Sequence, residues 1–249
     1  MKLYANPRSD SCRFIQNICS QIDINLEYVS IDFDKNEQRS EAYLKLSPTG
    51  KVPLLQDDEY ILSETFAIAK YLIDKQIHNI QIKLQEQDLD LVQKQSLEKI
   101  LSRCLQLYPT DVKKRAVVDM NCGIINELRV NMLSLAYGRV FLPSQGIHRP
   151  ESVLQQHESI AYKIFNELNE NFGSMKEDSR NICGFENDSL VDWMLCQIII
   201  DYDSLAIDHS EKHPYLMRYA MEMTEEYSIL CDGYDRFNAL ALGFKTKQE

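Results

Sequence analysis

Four short stretches carry side chains able to do chemistry. The first, LYANPRSDSCR (Leu3 to Arg13), sets Ser9, Asp10, Ser11 and Cys12 straight after an apolar run. Ser9 falls between a strand and a helix, where a hydroxyl either faces a ligand backed by the positive helix end or simply caps the helix. In the second, Gly50-Lys51-Val52-Pro53, a proline opens a strand. A cis Val52-Pro53 bond would leave the Val52 N–H and C=O open to a ligand's backbone; the alternative is a trans proline at a strand edge. The third, Ser63-Glu64-Thr65, gathers a carboxylate, hydroxyls and helix-end amides. That set suits a zwitterion, with Glu64 on the amine and the helix end on the carboxylate, or else an ordinary cap with an acid in the first turn. The fourth, Ser189-Leu190-Val191-Asp192, reads as a structural capping box in which Ser189 and Asp192 start a core helix.

The first three stretches need a small set of elements to hold them. Lys2 to Ala5 is a strand candidate, Ser11 to Gln21 a helix with Phe14, Ile15, Ile18 and Cys19 on one stripe, and Leu26 to Phe33 a strand. Glu37 to Leu46 reads as helical and is stopped by Ser47-Pro48-Thr49-Gly50. Val52 to Leu55 and Tyr60 to Leu62 are short strands joined by an acidic turn, and Ser63 caps the next helix. From Gln76 onward strand signals fade, and helical patterns occupy roughly 86–106, 110–138, 150–173, 189–207 and 214–231. The chain therefore reads as an α/β domain, residues 1–76, followed by an all-helical domain, residues 77–249.

Bulk properties remove several classes of function. A chain of 249 residues is long enough for two domains. Its net charge of −11 disfavours nucleic acid and anionic membranes as partners. No apolar run reaches the roughly 18 residues of a membrane span, and a strand so soon after Met1 leaves no room for a signal peptide. Seven cysteines without a CxxC pair point to reduced thiols in an intracellular compartment. No cluster has metal-ligand spacing.

Taken in order on this element pattern, these features resemble the cytosolic glutathione transferases, most closely the serine-type theta and delta classes. The resemblance rests on LKLSPTGKVPLL (Leu44 to Leu55), LSETFAIAKYL (Leu62 to Leu72), LYPTDVKKRAVVD (Leu107 to Asp119), the Ser189–Asp192 box and HPYLMRY (His213 to Tyr219). It implies a thioredoxin-like domain followed by an all-helical one, and a homodimeric, cytoplasmic enzyme of detoxification with glutathione as co-substrate and no metal. It further implies that Ser9 donates a hydrogen bond to the glutathione sulfur and favours the thiolate for attack on a small electrophile. Val52, ahead of Pro53, would pair with the cysteinyl backbone, Glu64 and Thr65 would grip the γ-glutamyl group, and Lys51 and Gln38 would face the glycine carboxylate. The electrophile pocket would lie between the domains, with Tyr108, Met120 and Ile124 as lining candidates. Cys12 matches a family cysteine packed inside the first helix.

Three departures from the family pattern stand out. Asp10 adds a negative charge beside the sulfur position, Thr65 stands where serine is commoner, and residues 78–106 read as an inserted helical segment. That segment carries an apolar stripe through Leu89, Val92, Leu97 and Ile100, suited to packing on its own domain or to docking another protein through residues 84–105. The alternative function is thus a weakly active or inactive structural subunit of a larger assembly, in the cytoplasm or inside an organelle.

Overall fold

Side chains alternate along the first strand, β1 (Lys2–Ala5): Leu3 and Ala5 are fully buried and Lys2 is exposed, the period-two pattern of a sheet with two different faces. This is seen in a computed structural model that describes residues 1–175, 181–203 and 211–230. Helix α1 (Asp10–Gln21) buries Phe14, Ile15 and Ile18 and returns the chain to β2 (Glu27–Ser30), parallel to β1. A parallel pair needs such a crossover. After a single 3₁₀ turn (Glu37–Arg39) and α2 (Glu41–Leu46) come β3 (Leu54–Asp57), antiparallel to β1, and β4 (Tyr60–Leu62), antiparallel to β3. The sheet order is β2-β1-β3-β4. One face carries Ile31, Tyr43 and Leu54 with Tyr4, Phe33 and Val52 packed around them. Leu3, Phe14, Ile18, Leu55, Ile68 and Leu72 are buried with α1 and α3 (Thr65–Lys83), each contributing about 1.5–3 kcal/mol relative to exposure.

Several local expectations are corrected. The region 37–46 is not one helix, because Ser40 is extended and caps α2 by accepting the Tyr43 N–H at 3.2 Å. The strand expected from Val52 begins at Leu54. Ser63 does not cap α3; Glu64 is the cap residue, with no side-chain cap bond.

The chain divides into two compact units, Met1–Arg115 and Ala116–Glu249. Within the first, α3 runs unbroken past residue 76, so residues 78–106 form the end of α3, a turn, and α4 (Leu91–Leu107) packed on α3. Asp90 and Gln93 form a reciprocal capping box that starts α4. The C-terminal end of α4 buries Cys104 and Leu107, while Leu91 and Val92 are 71% and 74% exposed. Asp111 accepts the N–H groups of Lys113 and Lys114 and starts α5 (Val112–Ala136). Arg115 then donates to Asp74 of α3 at 2.8 and 3.2 Å and to the Pro109 carbonyl at 2.7 Å.

In the second unit, α5 ends in a π-turn (Tyr137–Phe141) and is followed by α6 (Glu151–Ser174), α7 (Leu190–Asp203) and α8 (Pro214–Glu226). Trp193, Leu195 and Ile198 of α7 are fully buried. Ser189 and Asp192 sit at its start. The Asp192 carboxylate accepts the Ser189 N–H and O–H at 2.8 and 2.7 Å, the Ile182 N–H at 2.8 Å and the Tyr219 O–H at 2.6 Å. Residues 204–207 and 231, expected to be helical, and the C-terminal tail from 231 lie outside the described residues. Among the described residues no helix is long and apolar enough to cross a membrane.

Candidate functional site

Strand register dictates where the chemistry-bearing stretches meet. Tyr4 pairs with Leu54 and Leu55 with Leu62. Extending those registers sets Val52 and Pro53 beside the end of β1, and Glu64 beside Pro53. The C-terminal ends of β1, β2 and β4 and the start of β3 therefore share one end of the sheet, and α1 and α3 begin there.

The turn after β1 is tied down at both ends. Ser9 N–H donates to Asn6 C=O at 3.0 Å, closing a turn with Pro7 in its second position. Asn6 is buried; its Nδ2 donates to the Ile31 carbonyl beyond β2 at 2.7 Å, and its Oδ1 accepts the Arg8 N–H at 2.8 Å. Ser9 is the N-cap of α1, extended at φ −86°, with its Oγ accepting the Cys12 N–H at 3.4 Å. That bond is long and uses only acceptor capacity, so the one O–H hydrogen remains available. Asp10 is buried, and its Oδ1 accepts the Ser11 N–H at 2.6 Å and the Ser11 hydroxyl at 3.2 Å. Cys12 is fully buried, and burial pushes its thiol up to about 11. A thiol in that state is a packing group, not a nucleophile.

The second wall is the loop from the 3₁₀ turn to β3. Ser47 is buried and brackets Lys51: its Oγ accepts the Lys51 N–H at 3.3 Å and donates to the Lys51 carbonyl at 3.2 Å. Tyr43 O–H donates to the same carbonyl at 2.8 Å. These bonds hold the Lys51 backbone while its side chain is exposed. Gly50 has φ +62°, and a Cβ there would lie 2.5 Å from the Gln38 carbonyl oxygen and 3.1 Å from Arg39 Nη1, so only glycine fits. Gln38, Arg39 and Lys51 thus surround Gly50. No described carboxylate forms an ion pair with Arg39 or Lys51. The Gln38 Oε1 is buried without a hydrogen-bond partner, which marks it as a group to be explained. The Val52-Pro53 peptide is cis. The Val52 N–H and C=O make no hydrogen bond among the described residues, so an extended backbone segment has a donor and an acceptor to pair with.

Glu64 has φ 72° and ψ 120°, a region a non-glycine residue occupies at a cost of about 1–3 kcal/mol. Its carboxylate is exposed, and Thr65 beside it is buried with no described hydrogen bond to its hydroxyl. Strained backbone, an open carboxylate and the N-terminus of a long helix coincide at one point.

The other candidates belong to helices α4, α5 and α7 or their ends. Tyr108 is 5% exposed, and its ring face lies 4.1 Å under the Arg115 guanidinium, so it offers almost no surface to a ligand. Met120 is 59% exposed on α5 and Ile124 is half-buried one turn on. Ser189 and Asp192 belong to the helix start described above. Arg39, Ser47, Tyr43 and Asn6 were not singled out in the sequence. Only Arg39 gave a signal, as a cation next to Gln38. Among the described residues no three His, Cys, Asp or Glu side chains are grouped to hold a metal ion.

A small mixed sheet with two helix starts at one end, followed by a helical unit, defines the thioredoxin-like plus all-helical class. Residues 1–74 match the family described as glutathione S-transferase, N-terminal domain. Glutathione S-transferase 1 of Manduca sexta is 29% identical over 120 residues, 48% of this chain and 44% of that protein. Glutathione S-transferase theta-1 of Bos taurus is 35% identical over 75 residues, 30% of this chain and 31% of that protein. The matched stretch thus spans less than half the length of each relative. In fold the likeness extends further: the human theta-class glutathione transferase in complex with the glutathione conjugate of 1-menaphthyl sulfate matches with a TM-score of 0.75 at 20% identity, covering 100% of this chain and 92% of that one. The N-terminal stretch is thus similar in sequence to glutathione S-transferases, and the whole chain shares the fold of the human theta-class structure.

Proposed function

We propose that the protein is a glutathione transferase that binds glutathione at the end of the sheet and activates its thiol. The observation that carries this is the unbonded Val52 N–H and C=O between the Ser9 turn and Glu64. Val52 pairs with the cysteinyl backbone, and the Glu64 carboxylate and Thr65 take the γ-glutamyl amine and carboxylate. Gln38, Lys51 and Arg39 take the glycine end. Ser9 donates its O–H to the sulfur, which favours thiolate, and the thiolate attacks a small electrophile. In keeping with the family, we propose a cytoplasmic homodimer. Calorimetric titration with glutathione tests the reading: binding by the wild type and its loss in Glu64→Ala support it, and no binding by the wild type overturns it.

A second reading is motivated by Leu91 and Val92, exposed at the start of α4. It makes the chain an assembly subunit that docks a protein through residues 84–105. It predicts a stable complex lost on Leu91→Asp/Val92→Asp with glutathione turnover absent throughout; measurable turnover with no such complex removes it.

A further inference from the structure

We infer that Arg8 is a positioning residue: through Asp34 and Phe33 it holds the loop that carries Gln38 and Arg39 in register with the Ser9 turn. The inference rests on the reading of the site given above, in which Ser9 meets the sulfur and Gln38 and Arg39 meet the glycine end.

The chain from Asp32 to Arg39 is knitted mainly to itself. Asp32 Oδ1 accepts the N–H groups of Asp34 and Lys35 at 2.9 and 3.3 Å, and Asp32 Oδ2 pairs with Lys35 Nζ at 3.1 Å. Glu37 closes the loop from its other end. Its Oε2 accepts the Asp32 N–H at 2.8 Å, and its own N–H donates to the Asp32 carbonyl at 3.0 Å. The Asn36 N–H donates to the Phe33 carbonyl at 3.1 Å, and the Arg39 N–H to the Asn36 carbonyl at 2.9 Å. A segment bonded in this way shifts as one piece, and Gln38 and Arg39 shift with it.

The tie to the Ser9 turn is Arg8. Its Nη2 lies 2.9 Å from Asp34 Oδ1, and its guanidinium carbon lies 5.7 Å from the centre of the Phe33 ring. The Arg8 N–H donates to Asn6 Oδ1, and Asn6 Nδ2 donates to the Ile31 carbonyl just before the loop. Phe33 packs against Ile31, Tyr43 and Leu54. The loop is thus pinned at its root, and Arg8 sets its outer part through Asp34. Among the described residues no other ion pair or side-chain hydrogen bond joins residues 32–37 to residues 6–9. The Asp34 side chain is 81% exposed, so water and salt screen the pair and it adds little to folding. Its effect falls on where the loop rests.

Only a ligand that spans both places feels that effect. Glutathione reaches from the sulfur at Ser9 to the carboxylate at Gln38 and Arg39. γ-Glutamylcysteine has the same sulfur and γ-glutamyl groups but lacks the glycine. A loop out of register must be ordered again when glutathione binds, which costs affinity; γ-glutamylcysteine avoids that cost.

The experiment uses the full chain and its Arg8→Gln, Asp34→Asn and Arg8→Lys variants. Thermal unfolding checks the fold, and calorimetry gives the affinities for glutathione and for γ-glutamylcysteine. Arg8→Gln and Asp34→Asn should each weaken glutathione about two- to fivefold, the range of a partly exposed ion pair, and leave γ-glutamylcysteine unchanged. The pair is made through Nη2 and one carboxylate oxygen, which a lysine ammonium can reproduce, so Arg8→Lys should restore most of the lost affinity. Unchanged glutathione affinity in Arg8→Gln and Asp34→Asn, equal losses for the two ligands, or Arg8→Lys as weak as Arg8→Gln overturns the inference. Should Arg8→Gln fail to fold, Asp34→Asn at its exposed position makes the same comparison. Failure of the wild type to bind either ligand instead overturns the reading of the site, and this inference with it.

Discussion

On the proposed reading Ser9 has two separable roles, and each can be given a size. As the cap of α1 it accepts one N–H at a long 3.4 Å, so its loss belongs at the low end of the capping range, about 0.5–1 kcal/mol in Ser9→Ala. Glycine is itself a good cap residue, so Ser9→Gly should cost only a few tenths of a kcal/mol, roughly. As a donor to thiolate, the hydroxyl makes a charge-assisted bond worth about 1.5–3 kcal/mol, or roughly 10–150-fold in kcat/KM. The two variants should therefore differ in urea unfolding and agree in their loss of kcat/KM with a generic aryl halide. They should also share an upward shift of the pH profile, because the bound thiol loses a bond made to its charged form. The reasoning is refuted if Ser9→Gly keeps wild-type kcat/KM: the hydroxyl would then be a cap and nothing else.

Other consequences are as direct. With its thiol near 11 and no exposed surface, Cys12 holds on the order of a thousandth of its population as thiolate at pH 8; iodoacetamide should leave it unmodified in the folded protein and label it in urea, as peptide mapping would show. Asp57 accepts the Tyr71 O–H at 2.5 Å and bonds Lys75, and Lys75, then Tyr71, hold its carboxyl below the ordinary 3.8. Its contribution is present above about pH 4 and lost as pH falls through the lowered folded value, so Asp57→Asn should unfold more easily at neutral pH and lose part of the acid-side decline in a thermal series. Asp192→Ala strands four donors, the N–H groups of Ile182 and Ser189 and the hydroxyls of Ser189 and Tyr219, in a fully buried site, and should cost about 3–5 kcal/mol by urea unfolding, while Tyr219→Phe costs about 1 kcal/mol.

Much of the fold was legible because periodicity and turn chemistry agreed. Leu3 and Ala5 against Lys2, the helical stripe of α1, and Pro48-Thr49-Gly50 each indicate an element and its limit. The order of Ser9, Val52-Pro53 and Glu64-Thr65 was legible too. What it could not convey is set by the backbone. Ser63 has the better capping side chain, yet Glu64 takes the cap position in a conformation that no propensity favours. The direction of Asp10 depends on whether the first amide of α1 claims it, which it does through Ser11. Tyr108 reads as a pocket-lining candidate until Arg115 is seen to bind Asp74 and cover its ring. The break at Ser40 was hidden because 3₁₀ and α turns share the same local pattern over so few residues.

The backbone of Glu64 gives natural and laboratory selection opposing aims. Glycine at 64 would relieve the φ 72° conformation and raise stability by about 1 kcal/mol, but it would delete the carboxylate. A library screened only for heat resistance should therefore enrich Glu64→Gly, and a library screened for glutathione retention should reject it. The residue that emerges from each screen would report whether this chain is maintained for its durability or for its ligand.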